Sequence, residues 1–131
     1  AFGANALILS KGSVDLYNPK VVRAAMGALF DLPISSGENI GDILASLKKA
    51  GFEVVALNPE AKQSFVDIEY GPKVAIVLGN EGNGLTAEAD ARTTKEAHIE
   101  ISPQVESLNV AVAASVVLFH INKSKRTIAT G

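Results

Sequence analysis

The sequence predicts an α/β domain, a mostly parallel sheet with helices on both faces. Three observations carry that prediction. Short apolar runs alternate along the chain with longer stretches of helical periodicity, the order that builds strand–helix–strand units. The run Val74–Leu78 is continuously apolar, as a strand covered on both faces must be. Asparagine–proline and glycine mark where the helical stretches start and stop. With 131 residues and no internal repeat, low-complexity tract or linker, residues 1–131 are read as one domain. Such a length buries about two-thirds of its unfolded surface in a single core.

The first strand is Ala6–Leu9, a short apolar run closed by Ser10-Lys11-Gly12. Asn18-Pro19 then opens a helix to about Leu29, with Val22, Ala25, Met26 and Leu29 on one stripe and Pro33 as its stop. A second amphipathic helix runs from Asn39 to Ala50 on Ile40, Ile43, Leu44 and Leu47, and Gly51 ends it. Phe52–Leu57 is the next strand, and Ala61–Gly71 is an irregular connection with room for a helical turn. After the strand Val74–Leu78, Thr86 caps a short helix to Arg92, and its two acids suit the positive end of the helix dipole. Ala97–Ile101 reads as the last strand, and Ser107 to about Asn122 as a final helix, apolar nearly all round. Such a helix is central to a core or buried between subunits.

Composition excludes several classes. Apolar residues at 47% and charged residues at 20% belong to an ordinary globular chain rather than a disordered one. The apolar run Val110–Phe119 is too short to cross a bilayer, and no basic stretch followed by an apolar one marks a secretory signal, so a cytoplasmic location is expected. Absence of cysteine rules out disulfides and thiolate metal sites. His98 and His120 are not spaced as ligands, and no metal is expected. A net charge of −2 decides nothing about nucleic acid, although Lys11, Lys20, Arg23, Lys123, Lys125 and Arg126 supply cations at the two ends of the chain. Those six are read equally well as solvated surface charge or as contacts to RNA phosphates.

Two stretches carry candidate chemistry. Leu78-Gly79-Asn80-Glu81-Gly82-Asn83-Gly84-Leu85 follows the strongest strand, where open α/β sheets hold their ligands. Its three glycines permit positive φ and close approach of backbone to a ligand, and Glu81 sets one carboxylate among them. A plain connecting turn is the competing reading. Neither the dinucleotide fingerprint nor a phosphate loop is present. In the second stretch, Ser107 and Asn109 open the apolar final helix. Ser107 reads simply as a cap. Asn109 is harder to explain, because asparagine in the first turn of an apolar helix has poor propensity and needs a partner.

Together the two stretches resemble the second and third motifs of the SpoU (TrmH-like) RNA 2'-O-methyltransferases: Val77-Leu78-Gly79-Asn80-Glu81-Gly82, then Ser107-Leu108-Asn109-Val110. Val14–Phe30 is similar to the region after that family's first motif, and Ala1-Phe2-Gly3 to the end of that motif itself. The resemblance spans essentially the whole chain. It implies a parallel α/β sheet ending in a deep trefoil knot, S-adenosylmethionine as cofactor, RNA (tRNA or rRNA) as substrate, and a homodimer paired through the last helix. It places Leu78, Gly79, Asn80, Gly82, Ile99, Ile101 and Leu108 around the cofactor, and Glu81, Ser107 and Asn109 beside the reacting groups. It also sets the family's activating arginine, first strand and most of the first helix upstream of Ala1. Glu100 stands where the family has proline, and Pro103 where it has glycine. Two alternatives remain: a knotted domain that binds adenosylmethionine or RNA without transfer, and a flavodoxin-like domain, for which the aspartate cluster or phosphate loop is missing.

Overall fold

The computed structural model describes residues 1–80 and 83–130, with side chains as far as Arg126. Five strands and four helices follow in the order β1 (Leu7–Ser10), α1 (Pro19–Ala24), β2 (Ile34–Glu38), α2 (Ile40–Lys49), β3 (Glu53–Leu57), β4 (Val74–Val77), α3 (Ala87–Asp90), β5 (Lys95–Ala97) and α4 (Val110–Thr130). All strand pairings between them are parallel, but the strands form two sheets rather than one: β1 with β2, and β4-β3-β5 with β3 in the middle.

The three-stranded sheet carries the core. Alternation along β3 sends Val54 and Ala56 to one face and Val55 to the other. On the first face they meet Leu44 of α2, Val77 and Ala89 of α3. On the second, Val55 meets Val117 and Ile121 of α4 together with Phe65, Ile68 and Ala97. Helices therefore cover both faces of this sheet, as the sequence predicts. His120 stacks edge-on against Phe65 and Tyr70, with ring centroids 5.2 and 6.1 Å away, a packing role.

Capping fixes the helix starts. Asn18 accepts from the backbone N–H of Lys20 at 2.9 Å, with Pro19 in the first turn behind it. Asn39 accepts from Gly41 N at 2.8 Å, and Gly51 leaves α2 with φ +84°. Thr86 accepts from Ala89 N at 3.2 Å and caps α3.

Four expectations are corrected. The strand β2 was not anticipated, because Ile34-Ser35-Ser36-Gly37-Glu38 has one apolar residue and no alternation; pairing with β1 supplies its order. The helix expected to reach Leu29 stops at Ala24, because Met26 and Gly27 turn to φ +48° and +87°. Its supposed apolar stripe is not buried, and Met26 is 92% exposed. The last strand is Lys95–Ala97 instead of Ala97–Ile101: it is an edge strand, where charged residues are tolerated and discourage further pairing. Finally, α4 starts at Val110, not Ser107, and continues to Thr130.

Candidate functional site

Parallel pairing sets three loop starts in one row. Val77 of β4 lies beside Ala56 of β3, and Leu57 beside Ala97 of β5, so Leu78, Asn58 and His98 leave the same carboxyl edge. Leu78 and the segment beginning at Ile99 are thus about 10 Å apart, two strand spacings. The carboxyl edge of such a sheet is where ligands sit.

The loop after β4 closes on itself. Asn80 N donates to Gly84 O at 3.0 Å, and Gly84 N donates back to Asn80 O at 2.9 Å, with Gly84 at φ +63°. A Cβ on Gly79 would come within 2.7 Å of Leu85 N, so the absent side chain leaves room for the returning limb of the same loop. A β-branched residue at Gly79 therefore breaks the loop before it meets any ligand. Glu81 and Gly82 lie outside the described residues. Leu78 and Gly79 are half-buried, and Asn80 is exposed. Leu85, at the far limb, packs on the α2 side of the core.

The loop after β5 is tied down at its start. His98 N donates to Gln63 O and Phe65 N to His98 O, both at 2.9 Å, fixing the segment against the chain between β3 and β4. Ile99 is half-buried and packs on the α4 side of the core, and Ile101 is half-buried. Val105 N donates to Ser102 O at 2.9 Å, and the Ser102 hydroxyl donates to Gln104 Oε1, so Pro103 sits within a closed turn.

At the end of this connection the structure reassigns the cap of the last helix. Asn109 Oδ1 accepts from Ala111 N at 2.9 Å and Val112 N at 3.3 Å, and Asn109 O accepts from Ala113 N. Asn109 is therefore the residue before the first turn, a position asparagine favours, and the propensity conflict disappears. Ser107, expected as the cap, is exposed two residues earlier, and Leu108 between them is half-buried.

Between the two loops the structure adds a polar group that sequence reasoning missed. Asn58, just after β3, donates from Nδ2 to Glu96 Oε2 at 3.5 Å, and its backbone N–H donates to Ala97 O at 2.9 Å. The Glu96 carboxyl is pushed above its ordinary 4.5, first by a hydrogen bond shared with Asp90 and then by desolvation. Asn58-Pro59 directly after an apolar run was the available signal, since that pair marks a turn at a strand end. Among the described residues no cluster of three or more His, Cys, Asp or Glu is arranged to hold a metal, and no helix is long and apolar enough to cross a membrane.

Leu78 in the first loop and Ile99, Ile101 and Leu108 in the second are half-buried apolar side chains. Such side chains suit the apolar part of a ligand whose polar groups are held by main-chain groups.

Comparison with known proteins points the same way. A sequence model described as the SpoU rRNA Methylase family matches residues 1–119. An uncharacterised tRNA/rRNA methyltransferase of Synechocystis is 32% identical over 130 residues, 99% of this chain and 47% of that protein. The 23S rRNA (guanosine-2'-O-)-methyltransferase RlmB of Xylella fastidiosa is 33% identical over 128 residues, 98% of this chain and 51% of that one. The chain thus spans about half the length of these curated relatives. Among solved structures, the AdoMet-bound rRNA methyltransferase from Sinorhizobium meliloti superposes with a TM-score of 0.87 at 30% identity, covering 94% of this chain and 47% of that one.

Proposed function

The chain belongs to the SpoU rRNA Methylase family, and on that premise we propose that it transfers a methyl group from S-adenosylmethionine to a ribose 2'-hydroxyl of tRNA or rRNA. The observation that carries this reading is the pair of loops, Leu78–Leu85 and Ile99–Asn109, that leave one carboxyl edge of a parallel sheet. Residues 1–131 act as the cofactor-binding catalytic domain, with a C-terminal trefoil knot, in the cytoplasm. Relatives named as RNA 2'-O-methyltransferases, and one solved with AdoMet, support it.

The residues present fit the cofactor. Leu78, Ile99, Ile101 and Leu108 offer apolar contact for an adenine, and the backbone at Gly79, outside the Asn80–Gly84 pair, offers hydrogen-bonding groups without a charged side chain. The bound cofactor supplies an electrophilic methyl group on a sulfonium. Protein groups must then orient the ribose hydroxyl and receive its proton, because a hydroxyl is a poor nucleophile. Ser107 and Asn109, at the start of α4, and Glu81 are assigned to placing the ribose.

Pairing into a homodimer belongs to the same proposal. Val112, Val116 and Phe119 of α4, spaced four and three residues apart, share a helix face and are 48%, 38% and 55% exposed. An apolar stripe of that kind marks an interaction surface.

Calorimetry with S-adenosylmethionine, followed by transfer of labelled methyl to total RNA and mapping of the modified sugar, tests the function on this chain and on a version extended upstream of Ala1 by the family's first motif. Cofactor binding is expected in both, with label at a ribose 2'-oxygen in the extended version. Label on a base, or no binding of the cofactor, would overturn the assignment, and binding without transfer by the extended version would favour a binding domain.

A further inference from the structure

Away from these loops, a groove of about 230 Å³ opens at the carboxyl ends of β1 and β2. Ser10 and Ser36 line it from the two strands, and Lys11, Ser13, Asp15 and Tyr17 from the turn that follows β1, with one Asp15 carboxylate oxygen taken up by the Tyr17 backbone N–H. A register shift between Leu9 and Ser10 pairs Ser10 with Glu38 and passes over Gly37. Such bulges re-aim side chains and backbone at the end of a strand. The turn itself is held by main-chain bonds: Lys11 N to Glu38 O at 2.7 Å, Ser13 N to Ser10 O at 3.0 Å, and Tyr17 N to Asp15 Oδ1 at 3.0 Å.

Order in the backbone contrasts with the side chains it presents. Tyr17 is 75% exposed, too exposed to serve the core. Lys11 lies on the same turn, and α1, which begins immediately after Tyr17 and its capping Asn18, carries Lys20 and Arg23. Among the described residues none of these three cations has an acidic partner. Hydroxyls from Ser10, Ser13 and Ser36 supply both donors and acceptors. An exposed aromatic face on a backbone-held turn beside unpaired cations is how proteins hold single-stranded nucleic acid: the base stacks and the backbone phosphate meets the cation. The volume falls below the roughly 300–1,000 Å³ of pockets that enclose a whole drug-sized ligand, and suits one unit of a longer chain.

We propose that this groove binds one nucleotide of the RNA substrate, with its base on the Tyr17 ring and its phosphate at Lys11. The proposal deepens the methyltransferase reading and rests on it for the identity of the RNA as substrate. It adds an RNA contact at a sheet edge separate from the one that holds the cofactor loops.

The test uses a short fluorescein-labelled single-stranded RNA and fluorescence anisotropy at fixed salt, with adenosylmethionine calorimetry on the same preparations. Tyr17→Ala should weaken RNA binding about tenfold, the order of one base–aromatic stack, while Tyr17→Phe stays within about twofold. Lys11→Ala should weaken binding and lower the salt slope by about one. Cofactor affinity should be the same in all variants. Unchanged RNA affinity in Tyr17→Ala overturns the proposal, as does an unsubstituted chain that fails to bind this RNA at on the order of 100 μM. A loss in Tyr17→Phe as large as in Tyr17→Ala would also overturn it, since stacking would then not be the interaction. If the chain binds RNA but not adenosylmethionine, the methyltransferase reading fails while the Tyr17 series still decides the groove.

Discussion

Asn109 is given two duties, capping α4 and placing the ribose, and they separate by substitution. Its Oδ1 accepts two backbone N–H groups, from Ala111 at 2.9 Å and Val112 at 3.3 Å. Removing such an acceptor costs about 1 kcal/mol, within a range of roughly 0.5–2. The helix it caps contributes Val117 and Ile121 to the core, so fraying at Val110–Ala113 weakens the fold without dissolving it. For a chain of this size the loss corresponds to a fall in Tm of roughly 3–6 °C. Asn109→Asp keeps the acceptor and adds negative charge at the positive end of the helix dipole, worth about 0.3–1 kcal/mol, so it should melt at or above the parent. The aspartate nevertheless lacks the amide N–H groups. If those position the ribose, single-turnover methyl transfer falls, by up to on the order of 100-fold for a misplaced reactant, in a variant with undiminished stability. Thermal unfolding followed by circular dichroism and transfer of labelled methyl to RNA measure the two effects on one preparation, of the version extended upstream of Ala1 by the family's first motif. Parent-like melting of Asn109→Ala would refute the cap. Parent-like transfer by Asn109→Asp would refute the positioning role and leave Asn109 purely structural.

Three further outcomes are expected. Leu44 is 1% exposed among Val54, Ala56, Val77 and Ala89, so Leu44→Ala should cost about 2–5 kcal/mol in urea unfolding; a cost under about 1 kcal/mol would mean this side of the core is loosely packed. The Tyr70 hydroxyl donates to Phe65 O at 2.7 Å, and burial, then the nearby Glu53 carboxylate, push its pKa from 10.0 to about 12. Because the folded pKa is raised, stability is full below 10 and declines as pH climbs from 10 towards 12. Tyr70→Phe should lower neutral-pH stability by about 1 kcal/mol and flatten that alkaline decline, and an unchanged decline would show that another group causes it. Val116→Glu places a charge in the exposed stripe of α4 and should shift the protein from dimer to monomer in light scattering; a parent that is already monomeric at tens of micromolar would refute pairing through this face.

How far the fold could be read in advance followed from how local its causes are. Asn18, Asn39 and Thr86 cap their helices through bonds to residues two or three positions away, and Gly51 ends α2 by its own φ, so all four were legible. Val74–Val77 was legible because a strand buried on both faces needs no partner to declare itself. Ile34–Glu38 was not, since its extended form depends on β1, some twenty-five residues earlier in the chain. Met26 failed for a different reason. Its periodicity is genuine, but a positive φ at Met26 and Gly27 breaks the helix first, and Val22 and Met26 stay exposed.

The candidate site divides along the same line. Leu78–Leu85 stood out because three glycines follow an apolar strand, and only the resemblance to family motifs set it above a plain turn; the reason for Gly79 was hidden, since only the fold shows Gly84 and Leu85 returning across it. Asn109 was singled out for a conflict that the fold then resolved, by beginning α4 at Val110, three residues later than expected. Its capping bond leaves the resemblance to family motifs as the argument for a catalytic duty, and propensity no longer adds to it. Tyr17 shows the converse. Nothing in its periodicity set it apart, and its interest arises from exposure beside a bulge whose register shift depends on pairing between Ser10 and Glu38. A residue chosen for a substrate rather than for the core has no reason to follow the core's periodicity. The structure therefore adds most where the chain departs from the pattern that builds it.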